Sequence, residues 1–214
     1  MTSTKSRKTL LKESRLYAII DKKVSAQHSI FNIVGKIKGS GVDIIQFRDK
    51  ESKKEDILRD AFLIHKLLFN TKKLFIVNDY LDVAKIVDSD GLHLGQADTP
   101  IEIARRVLGK DKIIGISCHN LKQALQAQSK GADYIGIGPI FSTATKPEYE
   151  PTGLNLIKAL KDKIKIPFFV IGDINLNNIN RILSAGAERI AVCRAILKAK
   201  DISLAIKDFS RILH

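Results

Sequence analysis

Short runs of apolar and often β-branched residues recur along the chain, and a segment with helical spacing of its apolar positions follows most of them. In residues 55–69, for example, apolar side chains return every three or four positions and form one broad face. The runs are apolar throughout rather than alternating, which indicates a parallel sheet covered by helices. Eight strands are predicted, over residues 16–20, 43–48, 74–79, 91–95, 113–117, 134–140, 168–174 and 189–195.

Strands that alternate with helices, without a linker or a change in composition, predict a single domain of the α/β class. An open, doubly wound sheet is the alternative to a barrel. The barrel is favoured because nearly every predicted strand ends in residues suited to ligand contact, and a (β/α)8 barrel collects the carboxyl ends of its strands around one mouth. The prediction is therefore one TIM barrel over residues 16–214. These strand ends carry Arg48, Asn78, Asp79, Gln96, Ser117, Thr143, Gly172 and Arg194.

The length of 214 residues and a hydrophobic share of 44% suit one domain with a well-packed core. No run approaches the roughly 18 apolar residues that a membrane helix needs, so no membrane partner is expected. Residues 1–15 are basic but lack the apolar stretch of a secretory signal, and a short plugging helix is favoured over a transit peptide. The only two cysteines, Cys118 and Cys193, form no CxxC pair, which indicates reduced thiols in a cytoplasmic protein.

The formal net charge of +13 points to anionic partners such as nucleic acid or phosphorylated small molecules. The lysines are spread along the whole chain, and aromatic residues make up only 6% of it. A nucleic-acid site would need a basic patch or an aromatic stacking platform, so no nucleic-acid partner is expected. Phosphorylated small molecules remain the favoured partners.

The second predicted strand ends in the string Gln46, Phe47, Arg48, Asp49 and Lys50. Alternation along a strand places Gln46 and Arg48 on the same face, where burial is costly unless each finds a partner. In a barrel mouth that partner could be an anion held by the guanidinium fork and by Lys50. The alternative is an Arg–Asp pair on the surface of a turn.

Two carboxylates, Asp79 and Asp98, follow neighbouring predicted strands. They could share Mg²⁺, a hard cation that keeps several waters and bridges to phosphate oxygens. The alternative is that Asp79 caps a helix beginning near residue 81, and that Asp98 or Thr99 caps the helix over 101–108. From these residues alone the capping roles are favoured.

Hydroxyl groups, loop amides and an ammonium group follow the sixth predicted strand, in Thr143, Ala144, Thr145 and Lys146. Such a set can cradle a phosphate, although an ordinary polar loop is the alternative. Ser117 and His119 end the fifth strand, as ligand contacts or as loop residues, and His93 is expected to be a hydrogen-bonded core histidine. No base is placed to activate Ser117 or Cys193, which argues against covalent catalysis.

The order of these strings along the chain is more informative than any one of them. The strings are Gln46-Phe47-Arg48-x-Lys50, Val77-Asn78-Asp79, Asp90-Gly91-Leu92-His93-Leu94-Gly95-Gln96-x-Asp98, Gly115-Ile116-Ser117, Gly131-Ala132-Asp133-Tyr134-Ile135-Gly136 and Gly138-Pro139-Ile140-Phe141-x-Thr143-x-Thr145-Lys146. In this order they resemble the thiamine phosphate synthase family, from about residue 16 to residue 196. The resemblance implies a (β/α)8 barrel.

The resemblance also implies a transferase that joins hydroxymethylpyrimidine pyrophosphate to hydroxyethylthiazole phosphate with Mg²⁺. In the family the pyrimidine loses pyrophosphate and becomes a stabilised cation. The thiazole nitrogen captures this cation without a general base. Asp79 and Asp98 would then ligate Mg²⁺ rather than cap helices. The implied catalytic residues are Arg48, Lys50, Ser117 and Lys146. The implied substrate contacts are these four and Gln46, Phe47, Asp49, Asn78, Thr143, Ala144, Thr145, Gly172, Asp173, Cys193 and Arg194.

The sequence departs from the family at the seventh strand, where Gly172-Asp173-Ile174 stands in place of Gly-Gly-Ile. An aspartate there loses the conformational freedom of glycine and brings an anion close to the expected thiazole phosphate. Arg194 is hypothesised to offset Asp173, either by pairing with it or by binding the phosphate. The alternatives are a thiazole tautomerase, whose branch usually lacks these carboxylates, and an inactive barrel that binds an anionic metabolite. The sequence leaves open whether the protein forms a homo-oligomer.

Overall fold

A computed structural model describes residues 5–144 and 149–214, which form a closed barrel of eight parallel strands in chain order. Strand β1 pairs with β2 on one side and with β8 on the other, and the Leu16–Ile190 register closes the ring. The prediction of a (β/α)8 barrel is confirmed. The strands are β1 (Leu16–Asp21), β2 (Ile44–Arg48), β3 (Leu74–Asn78), β4 (Gly91–Leu94), β5 (Ile113–Cys118), β6 (Tyr134–Ile137), β7 (Phe168–Val170) and β8 (Ile190–Val192).

Helices cover the outside of the barrel, and the described ranges contain none that is long and apolar enough to cross a membrane. Helix α1 precedes the first strand, and the short helix α9 directly follows the last one. The helices are α1 (Arg7–Glu13), α2 (Ile30–Lys38), α3 (Lys54–Leu68), α4 (Leu81–Ile86), α5 (Ile101–Leu108), α6 (Leu121–Ser129), α7 (Leu154–Lys161), α8 (Ile179–Ser184), α9 (Arg194–Leu197) and α10 (Ile202–Leu213).

The last three strands are shorter than the apolar runs that predicted them, and this part of the prediction is wrong in its bounds. Strand β6 ends at Ile137, because Pro139 has no backbone N–H to continue a ladder. Strand β7 ends at Val170, before Gly172 turns away with a φ of 119°. Strand β8 ends at Val192, and helix α9 begins at Arg194. Apolar residues therefore continue into loops at this side of the mouth.

Alternation along the strands divides the core into two layers. Side chains such as Ile45 and Phe47 point outward and pack against the helices. Side chains such as Ile44 and Ile76 point inward and form a smaller cluster inside the barrel. Leu11 of helix α1 is buried in that inner cluster. Removal of both layers from water is the main stabilising contribution to the fold.

Three aspartates at the amino ends of the strands join neighbouring strands. Asp43, Asp90 and Asp133 each precede an even-numbered strand and accept a hydrogen bond from a backbone N–H at the start of the preceding odd-numbered strand. Helix α1 lies on this end, where Arg7 pairs with Asp90 at 2.6 Å and Lys8 with Asp133 at 3.1 Å. Two basic side chains of the N-terminal segment thus bind the carboxylates at the bottom of the barrel. The nitrogens that these aspartates bind, each at 2.9 Å, belong to Leu16, Phe75 and Ile114.

Candidate active site

A pocket opens at the carboxyl ends of the strands, and every one of the eight strands contributes a residue to its lining. Its volume is about 1020 Å³ when counted to the open mouth. The strand residues on its wall are Tyr17, Ile19, Asp21, Gln46, Arg48, Asn78, His93, Ser117, Cys118, Tyr134, Gly136, Phe169 and Ala191.

The string that ends β2 is divided between two sides of the barrel wall. Gln46 and Arg48 line the pocket, as the alternation predicts. Phe47 and Asp49, which were also expected at the substrate site, do not line it, and this expectation is corrected. Phe47 packs in the outer core, while Asp49 Oδ1 accepts hydrogen bonds from the backbone N–H groups of the following turn.

Arg48 has a carboxylate partner that the sequence did not indicate. It forms an ion pair with Asp21, its direct neighbour in the β1–β2 register, and only 2% of Asp21 is exposed. The second carboxylate oxygen of Asp21 accepts a hydrogen bond from the Val24 N–H at 3.1 Å. Because a buried charge is costly without a partner, Asp21 compensates Arg48 and fixes its position on the pocket wall.

Lys50, Asp79 and Asp98 form a second charged group, at the side of the pocket where Asn78 lies. Lys50 Nζ is 2.7 Å from Asp79 Oδ2, and the carboxyl groups of Asp79 and Asp98 are in hydrogen-bond contact. Burial and the neighbouring Asp98 raise the pKa of Asp79, while Lys50 opposes that rise. Asp79 also has a φ of 62°, a conformation that aspartate adopts more readily than most residues. None of these three charged residues lines the pocket itself.

The capping roles considered for the two carboxylates are wrong. The residues that cap α4 and α5 at their N-termini are Tyr80 and Pro100, and neither helix has a side-chain cap. Asp98 Oδ2 instead accepts a hydrogen bond from the Gly95 N–H at 2.6 Å, which holds its carboxylate in the turn after β4.

The two carboxylates fit Mg²⁺ by the chemistry of the site. Within the described residues no group of three or more His, Cys, Asp or Glu side chains is arranged to hold a metal ion, so an all-protein cage is absent there. Mg²⁺ is typically bound by one or two carboxylates together with water and substrate phosphates. Two neighbouring carboxylates, one of them with a raised pKa, also form a site where added positive charge relieves repulsion.

A chain of hydrogen bonds connects five side chains across the inside of the barrel. Gln46 Nε2 donates to Tyr17 Oη at 2.6 Å, and Tyr17 Oη lies 2.9 Å from Tyr134 Oη. Tyr134 Oη lies 2.9 Å from His93 Nδ1, and His93 Nε2 lies 2.9 Å from Ser117 Oγ. Both ring nitrogens of His93 thus have partners, as expected of a core histidine, but the expectation that no base lies beside Ser117 is wrong. No sequence signal marked the two tyrosines as part of the site.

The ends of β7 and β8 bring Gly172, Asp173, Cys193 and Arg194 to the pocket wall. Asp173 has a φ of 46°, so it occupies a backbone conformation that suits glycine. None of the ion pairs among the described residues joins Asp173 to Arg194. The hypothesis that Arg194 offsets Asp173 by pairing with it is therefore not supported.

Of the four residues expected to bind substrate in the loop after β6, two belong to the described part of the chain, and one of these lines the pocket. Thr143 lines the pocket, whereas Ala144 is exposed and does not belong to its lining. Thr145 and Lys146 lie outside the described residues. His119 also lines the pocket, stacks on Tyr149 with ring centroids 4.4 Å apart, and hydrogen-bonds the Gly138 carbonyl through Nδ1 at 2.6 Å.

Comparison with known proteins identifies the family of this barrel. The family model described as thiamine monophosphate synthase matches residues 16–196. The chain belongs to the thiamine monophosphate synthase family. A family member named thiamine-phosphate synthase, from Halalkalibacterium halodurans, is 42% identical over 205 residues, which cover 95% of this chain and 97% of the relative. Another of the same name, from Shouchella clausii, is 42% identical over 196 residues, covering 91% and 94%.

A solved structure of the family supports the same assignment. The thiamine phosphate pyrophosphorylase from Pyrococcus furiosus is 32% identical to this chain, covers 96% of both chains and superposes with a TM-score of 0.85. The family resemblance expected from the order of the motifs is thereby confirmed.

Proposed function

We propose that this protein is a thiamine-phosphate synthase, which joins hydroxymethylpyrimidine pyrophosphate to hydroxyethylthiazole phosphate and releases pyrophosphate. Its membership of the family supports the reaction. One structural observation carries the proposal to the site. Arg48 lines a pocket to which all eight strands contribute, and Lys50 and the carboxylate pair follow the ends of the neighbouring strands β2, β3 and β4.

These charges suit the departure of a pyrophosphate group. The Arg48 guanidinium and the Lys50 ammonium would bind its oxygens, and each such contact in a site shielded from water can contribute about 2–4 kcal/mol to the transition state. Asp79 and Asp98 would hold Mg²⁺, which supplies further positive charge to the leaving group when bound. Pyrophosphate would thus exchange for Asp79 as the partner of Lys50.

Ser117 lines the wall of the pocket, and its hydroxyl would donate a hydrogen bond to the same leaving group. Lys146, which lies outside the described residues, would add a further ammonium group. The pyrimidine ring would lie against Gln46 and Asn78, whose amide groups line the pocket. Together these groups neutralise charge and orient the substrate, which are the two tasks that a dissociative reaction requires.

The thiols in the pocket wall do not favour a covalent intermediate. Burial raises the pKa of Cys118 and of Cys193 to about 12. A thiol that stays protonated near neutral pH is a poor nucleophile. This supports direct capture of a pyrimidine cation by the thiazole nitrogen, a step for which the filled pocket would have to exclude competing water.

The thiazole phosphate would bind at the ends of β7 and β8, where barrel enzymes commonly hold phosphate. Gly172 lines the pocket there, and Arg194 offers a cation at the start of α9. Thr143 faces the same pocket. Since no ion pair between described residues joins Asp173 to Arg194, the arginine would meet the phosphate itself.

Pyrophosphate release by the purified protein tests this function. We expect release that requires both substrates and Mg²⁺, that EDTA abolishes, and that Asp79→Asn loses. Asp162→Asn is the matched control, because Asp162 is exposed and lies outside the pocket. Release that proceeds equally well without the thiazole phosphate, or full activity in Asp79→Asn, would contradict the proposal.

A further inference from the structure

The five-residue hydrogen-bond chain has a direction, and the amide of Gln46 sets it. Gln46 Nε2 can only donate, so Tyr17 Oη accepts and must direct its own proton to Tyr134 Oη. Tyr134 in turn donates to His93 Nδ1, which must be unprotonated to accept. The histidine proton then lies on Nε2 and is donated to Ser117 Oγ.

One proton is left over at the end of this chain. Ser117 Oγ accepts from His93, so its own hydroxyl proton is available to a group in the pocket that Ser117 lines. The opposite direction would leave the Tyr17 proton facing the Gln46 NH₂ group, which cannot accept it. The chain therefore makes Ser117 a donor toward the pocket.

The inside of the barrel accommodates this chain with neutral phenols and with two glycines beside its rings. Tyr17 and Tyr134 are fully buried, and burial raises the pKa of both phenols, which keeps them neutral. Gly115 lies opposite Tyr134 in the β5–β6 register, and a Cβ built on Gly115 would lie 2.1 Å from Tyr134 Cζ. A Cβ on Gly136 would lie 3.3 Å from His93 Cε1. Two glycines thus leave space for Tyr134 and His93, two of the three rings that connect Gln46 to Ser117.

We propose that Tyr134 and His93 are positioning residues that hold the Ser117 hydroxyl as a fixed hydrogen-bond donor to the departing pyrophosphate. This inference rests on the proposed function, because it takes the leaving group from that reaction. It adds two residues from the inside of the barrel to the charged groups of the mouth, and these two act through Ser117.

Steady-state kinetics of Tyr134→Phe test the role of the chain. The variant keeps the ring and removes only the hydroxyl that donates to His93. We therefore expect kcat to fall roughly 10-fold with KM nearly unchanged. For Ser117→Ala, which removes the donor itself, we expect kcat to fall ~100-fold or more. Because both changes act through one hydroxyl, Ser117→Ala with Tyr134→Phe should be no slower than Ser117→Ala alone. Ile76→Val, which trims the inner cluster outside the pocket, is the packing control and should keep kcat. Wild-type kcat in Tyr134→Phe, or losses that multiply in the double variant, would overturn the inference.

A spectroscopic measurement separates this inference from the proposed reaction. In ¹⁵N-histidine-labelled protein, with the His93 signals assigned by their loss in His93→Gln, we expect the neutral Nε2–H tautomer near pH 7.5. Tyr134→Phe should weaken that preference, since Nδ1 loses its donor. An Nδ1–H tautomer in the wild type would overturn the direction of the chain, whether or not the protein turns over. Failure of the wild type to release pyrophosphate, with the Nε2–H tautomer present, would instead overturn the proposed function and with it the catalytic role of the chain.

Discussion

Replacement of Gly115 by alanine would force a methyl group into the space of the Tyr134 ring. A Cβ at this position lies 2.1 Å from Tyr134 Cζ and 2.5 Å from Tyr134 Oη. Non-bonded carbon atoms normally approach to about 3.5–4.0 Å, so one of the two must move. The ring has little space to retreat, because the rings of Tyr17 and Phe169 pack against it with centroids 5.9 and 5.7 Å away.

The expected loss of stability follows from two contributions. Overpacking of a close-packed core costs about 1–3 kcal/mol. Displacement of Tyr134 also weakens its hydrogen bonds to Tyr17 and His93, each of which contributes about 0.5–1.5 kcal/mol. The free energy of unfolding should therefore fall by roughly 2–6 kcal/mol, and the Tm by about 2–4 °C for each kcal/mol in a domain of this size.

Urea denaturation and thermal melting of Gly115→Ala measure this loss, with Gly35→Ala as the matched control. Gly35 lies inside α2, and a Cβ added there would have nothing within 4 Å, so alanine should be neutral or stabilising by up to ~1 kcal/mol. A Gly115→Ala protein as stable as the control would refute the claim that Tyr134 crosses the barrel beside this glycine.

Two further predictions concern the charged groups of the mouth. The folded-state pKa of Asp79 is raised above its ordinary value, so stability should decline as the pH rises above the ordinary aspartate pKa of about 3.9 and through the raised value. Asp98→Asn removes one cause of the raised Asp79 pKa, so the urea midpoint of this variant should decline less over that acidic range. Parallel plots of urea midpoint against pH for the wild type and the variant would contradict the contact between Asp79 and Asp98. Asp173→Gly should leave the affinity for thiazole phosphate unchanged or improved in a binding titration, since it removes an anion from the pocket wall and φ at this position suits glycine. A large loss of affinity would mean that Asp173 itself binds the substrate.

The fold was predictable because its signal repeats along the chain. The first five strands begin and end within one residue of their apolar runs, since polar residues and turns bound them sharply. The last three runs continue into apolar loop residues such as Ile140 and Ile174, which are buried although they belong to no strand. Hydrophobicity reports burial, and at this side of the barrel buried loops carry the same signal as strands.

The sequence predicts which residues line the pocket where alternation along a single strand is sufficient to do so. Alternation along β2 placed Gln46 and Arg48 on the pocket wall, but a contiguous motif also brought in Phe47, which faces the helices. The Asp21 partner of Arg48 comes from another strand and depends on the β1–β2 register. Tyrosines in an apolar run resemble ordinary core residues, so only the closed barrel reveals that the Tyr134 hydroxyl lies between Tyr17 and His93.

Analysis of the products decides whether this barrel joins the two substrates. Purified protein would be incubated with hydroxymethylpyrimidine pyrophosphate, hydroxyethylthiazole phosphate and Mg²⁺, and the products quantified by mass spectrometry beside the pyrophosphate released. We expect thiamine phosphate and pyrophosphate in equal amounts. Release of pyrophosphate with only the free pyrimidine alcohol, or no release despite binding of the pyrimidine substrate, would contradict it.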